Sequence, residues 1–208
     1  MNRLHRLQRD LLLSMHRAIF NAEPHFGHAL SGQYVFFSNH TSHLDTLSLL
    51  AALPPSLRDL TRPVAGLDYW DKSGLRRHIA RKLLHAVLID RDMGGKDAIA
   101  PLETALDDGA SLIVFPEGTR LQARLPGPFK TGLFHLTKNR PGLALVPVYQ
   151  ENMHRALPKG ALLPLPLLCQ TCFGAPVYNN EAEGKDQFLM RAHQAVCDLA
   201  SLFAGDGS

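Results

Sequence analysis

Phe37-Ser38-Asn39-His40-Thr41-Ser42-His43-Leu44-Asp45 marks an abrupt change of character in the chain. The residues leading into it, Tyr34-Val35-Phe36-Phe37, are apolar and aromatic and predict a buried strand. Those that follow, Leu47 to Leu53, form a helix-like apolar run ended by Pro54-Pro55. Two histidines and a carboxylate thus fall where a strand hands over to a helix, a position where α/β folds place chemistry. Two readings fit His40 and Asp45. In one, the carboxylate fixes the imidazole tautomer and His40 serves as a base near neutral pH. In the other, Asp45 belongs to a helix cap, since Ser42-His43-Leu44-Asp45 matches a capping box in type. Within a regular helix the two residues would diverge; at a turn, Asp45 can reach back to His40. His43, three residues further on, is expected to face elsewhere.

The same alternation runs through the rest of the chain. Strands are expected at 32–38, 62–66, 86–89, 111–115, 143–149 and 168–173. Helices are expected at 42–53, 71–85 and 131–139, along the face Ile99, Leu102 and Leu106, and along the stripe Phe188, Ala192, Val196, Leu199 and Phe203. Pro101 is tolerable only in the first turn of its helix. Pro147 indicates an edge strand or a strand end. This order predicts an α/β fold, a mixed, largely parallel sheet flanked by helices. The 208 residues suit one domain, with residues 1–28 an amphipathic N-terminal helical segment.

Composition narrows the partners. Hydrophobic residues at 45% and charged residues at 20% are ordinary globular values and exclude a disordered chain. A net charge of +3 suits an anionic ligand or membrane surface without requiring one. Nucleic acid is not expected, because Arg and Lys do not interleave with aromatics. Three cysteines, Cys169, Cys172 and Cys197, argue against a disulfide framework and suit a reducing compartment. Cys169-Gln170-Thr171-Cys172 has no second pair at zinc spacing, and no metal or cofactor is expected. His135, His154 and His193 are isolated and receive no role.

No run reaches the about 18 apolar residues of a membrane span, and Asp10, His16 and Arg17 interrupt any signal-peptide core. The expectation is a cytoplasmic chain that meets membranes only from their surface. Leu4, Leu7, Leu11, Met15 and Ile19 recur at helical spacing, with Arg3, Arg6, Arg9 and Arg17 on other faces. A helix packed by its apolar stripe is the preferred reading; a helix lying on anionic lipid is the alternative. Lys72, Arg76, Arg77, Arg81 and Lys82 form a basic stretch without an acid, fitting a solvated face or contact with phosphates of a lipid or a carrier.

A second constellation is Phe115-Pro116-Glu117-Gly118-Thr119-Arg120, where a buried strand delivers a glutamate, a glycine turn and an arginine to one sheet edge. Glycine permits close backbone approach and arginine matches phosphate bidentately, although an ordinary turn with a surface ion pair also fits. Taken together the stretches resemble a known family. Asn39-His40-Thr41-Ser42-His43-Leu44-Asp45 is similar to its first block, Val87-Leu88-Ile89-Asp90-Arg91 to its second, Phe115 to Arg120 to its third and Leu145-Val146-Pro147-Val148 to its fourth. Phe129-Lys130-Thr131-Gly132 and Pro158-Lys159-Gly160 resemble lesser landmarks. The family is the glycerolipid acyltransferases of the 1-acylglycerol-3-phosphate O-acyltransferase type.

The resemblance implies transfer of a fatty acyl group from acyl-CoA or acyl carrier protein to a lysophospholipid hydroxyl, with phospholipid biosynthesis as the setting. It implies His40 as general base and Asp45 as its orienting carboxylate, with no acyl-enzyme. It implies an acceptor site of Arg91, Glu117, Gly118, Thr119 and Arg120, with Lys130 a second cation, and peripheral attachment to the inner face of the membrane. Two departures bear on the acceptor and the second block: His85-Ala86 stands where relatives often have glycine, and Leu121-Gln122-Ala123-Arg124 replaces the usual serine after Arg120, so that Arg124 can substitute for a lost contact. A non-phosphate acceptor, a hydrolase using water, and a non-catalytic lipid-binding module are the alternatives.

Overall fold

The computed structural model describes every residue except 1, 21–22, 28–29, 31, 91–92, 94–95, 139, 141, 157–164, 166, 181 and 204–208, and only the backbone of Glu23, Lys96 and His154. Among the described residues, seven strands form one sheet. They are β1 (Glu23–Phe26), β2 (Tyr34–Ser38), β3 (Thr61–Gly66), β4 (Val87–Ile89), β5 (Ser111–Val114), β6 (Ala144–Glu151) and β7 (Gln170–Phe173). Their spatial order is β1-β7-β6-β2-β5-β3-β4, parallel throughout except for the antiparallel pair β6–β7. The expected α/β architecture is therefore present.

The strand period of two sorts the core into two layers. Val35, Phe37, Leu112, Val114 and Leu145 face α6 (Lys96–Asp107), α7 (Gly132–Lys138) and α9 (Lys185–Ser201) through Leu106, Leu136, Phe188 and Val196. Tyr34, Phe36, Ile113, Val146 and Val148 face α1 (Arg3–Phe20), α2 (Asp45–Ala52) and α3 (Pro55–Leu60) through Leu13, Leu49, Leu50 and Leu57, and the short α8 (Met153–Ala156) packs with Phe20 of α1. Buried on both faces, β2 reads as an unbroken apolar run, as central parallel strands do.

Several sequence expectations are corrected. Helix 42–53 begins only at Asp45, preceded by Leu44 with no side-chain cap, and only half of the capping box forms: Asp45 Oδ2 accepts from the Ser42 N–H, but Ser42 Oγ does not reach the Asp45 N–H. A separate short helix, α4 (Leu67–Trp70), precedes the expected helix 71–85, which itself reduces to α5 (Gly74–His78) and a π-helical turn, Ile79–Leu83. Ser73 starts α5, its Oγ accepting from the Arg76 backbone N–H. His85 then adopts φ 50°, the left-handed region that favours glycine. Strand β4 is half-buried rather than buried, because it is an edge strand paired only with β3. Pro101 lies beyond the first turn of α6. Pro147 sits inside the interior strand β6, but its carbonyl accepts from Gly174 where the β7 ladder stops, so its missing N–H breaks no bond to β2.

Among the described residues, the N-terminal segment expected to be helical over 1–28 is helical only from Arg3 to Phe20, and Glu23–Phe26 instead form β1, which pairs with β7. The largest reversal is the facing of α1. Leu7 is 68% and Leu11 63% exposed, and Leu4, Met15 and Ile19 are exposed with them. The inward face carries Arg9, Leu13, His16 and Phe20 instead. Arg9 is buried because Asp10 and Asp59 both accept from its guanidinium, at 2.7 and 2.6 Å from Nη2. His16 is buried against Ser48 Oγ at 2.6 Å. Paired polar groups thus hold the helix down and leave its apolar stripe outward. Among the described residues no helix is long and apolar enough to cross a membrane.

Candidate active site

Parallel pairing of β2 with β5 and of β5 with β3 brings three carboxyl-terminal strand ends to one edge of the sheet. Register matches Phe37 with Val114, so the turn after β2 and the turn after β5 lie side by side. Backbone bonds lock them together. The His40 N–H donates to Glu117 Oε1 at 2.8 Å, and the Leu121 N–H donates to the His40 carbonyl at 2.9 Å.

Within the first turn, His40 Nδ1 lies 2.9 Å from Asp45 Oδ2. A carboxylate only accepts, so Nδ1 carries the proton and Nε2 holds the lone pair. The same Oδ2 accepts from the Thr41 and Ser42 N–H groups at 2.6 and 2.9 Å. Asp45 is completely buried, whereas 18% of the His40 side chain is exposed. Asp45 therefore holds both the imidazole and the loop that carries it. Ser42 Oγ accepts from Leu44 N–H and does no capping of α2. The Phe115 ring stacks on His40, centroids 4.1 Å apart, and fixes the imidazole plane.

His40 opens onto a cavity of about 600 Å³. Gly118, Thr119, Arg120 and Lys130 line it on the β5 and α7 side. Gly118 takes φ +70°, and an added Cβ would stand 2.7 Å from Lys130 Nζ, so the lysine lies directly across the glycine. Neither Arg120 nor Lys130 has a carboxylate partner among the described residues. Val64, Ile89, Ile99, Leu102, Leu133 and Leu136 make an apolar wall further in.

Glu117 is placed behind the His40 turn. It is 5% exposed and lies outside the cavity wall, its Oε1 accepting from His40 and its Oε2 from Gly127 at 3.0 Å. Burial raises its pKa, and the two backbone N–H groups oppose that shift. Arg124 is also turned away: it donates to the Ala200 carbonyl and lies 3.5 Å from Glu151. Arg91 and the Pro158-Lys159-Gly160 landmark lie outside the described residues.

His43 faces the cavity after all, stacked on Tyr69 at 4.7 Å. Partial burial, and then Arg120, His40 and Arg76, lower its pKa to about 4, so it is neutral near pH 7. The sequence signal was weak, because a turn, unlike a helix, does not fix the direction of residues three apart. Cys169 is buried and its thiol is pushed up to about 12, which leaves it protonated and inert.

A family model described as Acyltransferase matches residues 12–151, a span that contains the His40 turn, the Glu117 turn and Lys130. The chain belongs to this acyltransferase family. Among curated members, the 1-acyl-sn-glycerol-3-phosphate acyltransferase alpha of Mus musculus is 38% identical over 108 residues, 50% of this chain and 35% of the mouse protein. The 1-acyl-sn-glycerol-3-phosphate acyltransferase of Haemophilus influenzae is 24% identical over 132 residues, 59% of this chain and 50% of its own length. These matches span a third to a half of the length of those relatives. The crystal structure of the 1-acyl-sn-glycerophosphate acyltransferase PlsC from Thermotoga maritima superposes with a TM-score of 0.73 at 18% identity, covering 96% of this chain and 83% of that one. The acyltransferase fold is therefore shared along nearly the whole chain.

Proposed function

We propose that the chain transfers a fatty acyl group from acyl-CoA or acyl carrier protein to the free hydroxyl of a lysophospholipid of the 1-acylglycerol-3-phosphate type. The observation that carries this reading is the His40–Asp45 pair, with Nδ1 engaged and Nε2 without a partner among the described residues, opening onto a cavity that Arg120 and Lys130 also line. Nε2 takes the proton from the acceptor hydroxyl as its oxygen attacks the thioester carbonyl carbon. Asp45 stabilises the imidazolium that forms. The tetrahedral oxyanion collapses with cleavage of the C–S bond, and the thiolate leaves with the proton from Nε2. The products are the ester and the free thiol.

Arg120 and Lys130 bind the acceptor phosphate, and Gly118 and Thr119 let the backbone approach it. Arg91 joins them on the family resemblance alone. Glu117 acts through the His40 turn. The apolar wall receives the fatty chain.

The enzyme works at the inner, cytoplasmic face of the membrane as a peripheral protein. The outward stripe Leu4, Leu7, Leu11, Met15 and Ile19 supports this, because exposed apolar side chains in register on one helix suit the lipid interface. Arg3, Arg6 and Arg17 on the same helix suit anionic headgroups.

A product screen tests the reading. Acyl-CoA and acyl carrier protein are offered with a panel of lysophospholipids, and phosphatidate from lysophosphatidate is expected. Product only from a phosphate-free acceptor, or free fatty acid alone with lysolipid present, would overturn it.

A further inference from the structure

Beyond the end of β3, α4 presents Tyr69 and Trp70 to the cavity mouth. The two rings meet edge to face, centroids 5.4 Å apart. Tyr69 stacks on His43, and the guanidinium carbon of Arg76 lies 4.4 Å from the Tyr69 ring centroid. Arg76 is half-buried and has no carboxylate partner among the described residues, whereas its neighbour Arg77 is held by Asp71 at 2.7 Å. Lys72, Arg81 and Lys82 nearby also lack one among the described residues.

A guanidinium stacked on an aromatic face is pre-organised, so little side-chain entropy remains to be lost when an anion arrives. The reaction requires two anionic partners at once. The acceptor phosphate is accounted for by Arg120 and Lys130, on the β5 and α7 side. Arg76 is not in the cavity wall itself but stacks on Tyr69, which lines the cavity after β3, so its guanidinium stands just outside the lining. Both donors carry their acyl thioester at the end of a phosphopantetheine arm, which is long enough to leave its phosphate outside while the thioester reaches inward.

We propose that Arg76, held on Tyr69 beside His43, binds the phosphate of the acyl donor's phosphopantetheine arm. This assignment rests on the transferase reading above. It gives the basic stretch of α5 and the π turn a donor-side role, and it makes the His43–Tyr69–Arg76 stack the link between the catalytic turn and the donor.

The test uses Arg76→Gln with three donors: acyl-CoA, acyl carrier protein, and acyl-pantetheine, which lacks the phosphate. The donor KM should rise roughly tenfold for a phosphorylated donor relative to acyl-pantetheine, the size expected for one charge-assisted bond. The acceptor KM and the partition onto anionic vesicles should stay within twofold of wild type. A rise confined to acyl-CoA assigns the site to CoA, and one confined to carrier protein assigns it to the carrier. An equal penalty with acyl-pantetheine, or a rise only in acceptor KM, overturns the proposal. So does weaker vesicle binding with unchanged donor KM, which would make the stretch a headgroup contact. Calorimetry with 4′-phosphopantetheine and pantetheine keeps the two readings separable. A wild-type protein that forms no product yet prefers the phosphorylated compound, with the preference lost in Arg76→Gln, defeats the transferase reading and leaves the phosphate site standing.

Discussion

The backbone N–H of His40 donates to Glu117 Oε1, and this bond ties the end of β2 to the turn after β5. The other oxygen of Glu117 holds Gly127. A glutamine can accept on one oxygen only, so Glu117→Gln leaves one buried N–H facing an amide donor, at a cost of about 1–3 kcal/mol. We expect kcat to fall at least about tenfold, with the lysophosphatidate KM within twofold of wild type, in steady-state kinetics. A raised KM with unchanged kcat would make Glu117 a substrate contact instead.

Asp45 Oδ2 accepts from His40, Thr41 and Ser42 together. Asp45→Asn keeps the shape but removes the charge that stabilises the imidazolium. We expect a rate loss of about a hundredfold or more, in line with general-base assistance. The melting temperature should change far less than for Asp45→Ala, which orphans two buried N–H groups. Loss of stability without loss of rate would reduce Asp45 to a loop clamp.

His16 is buried on α1 and its pKa falls from 6.5 to about 4 through desolvation. Its folded pKa lies below its unfolded one, so unfolding takes up a proton between these values. The contribution is complete above pH 6.5 and is lost as pH falls toward 4, at about 1.4 kcal/mol per pH unit. Urea unfolding at pH 6.5 and 5 should show a steeper loss for wild type than for His16→Gln. Equal slopes would mean that His16 keeps its charge in the fold.

Leu7 and Leu11 point outward from α1. The double variant Leu7→Glu, Leu11→Glu should keep the wild-type melting temperature, because neither side chain packs inside. Its partition onto anionic vesicles should drop at least about tenfold, since each buried leucine contributes about 1.5–3 kcal/mol. Unchanged partition would place the membrane contact elsewhere.

The strand-turn-helix around His40 and the turn after Val114 were legible because buried strands of a parallel sheet are continuous apolar runs with abrupt ends. The facing of α1 was not legible. A helical stripe has the same period whichever side it meets, and the decision lies in Asp59 and Ser48, far along the chain from Arg9 and His16. The role of Glu117 was hidden for a similar reason: its partner is a backbone N–H 77 positions away, to which side-chain patterning is blind. Pro147 misled because the local rule concerns the missing N–H, whereas the outcome depends on where the β7 ladder ends.

The central claim is that His40 removes the proton from the acceptor hydroxyl. Single-turnover phosphatidate formation from a thioester donor and lysophosphatidate, in wild type and His40→Ala, tests it most directly. The account predicts product from wild type and a loss of at least about a hundredfold in His40→Ala at an unchanged melting temperature. Phosphatidate formed by folded His40→Ala at the wild-type rate would contradict it.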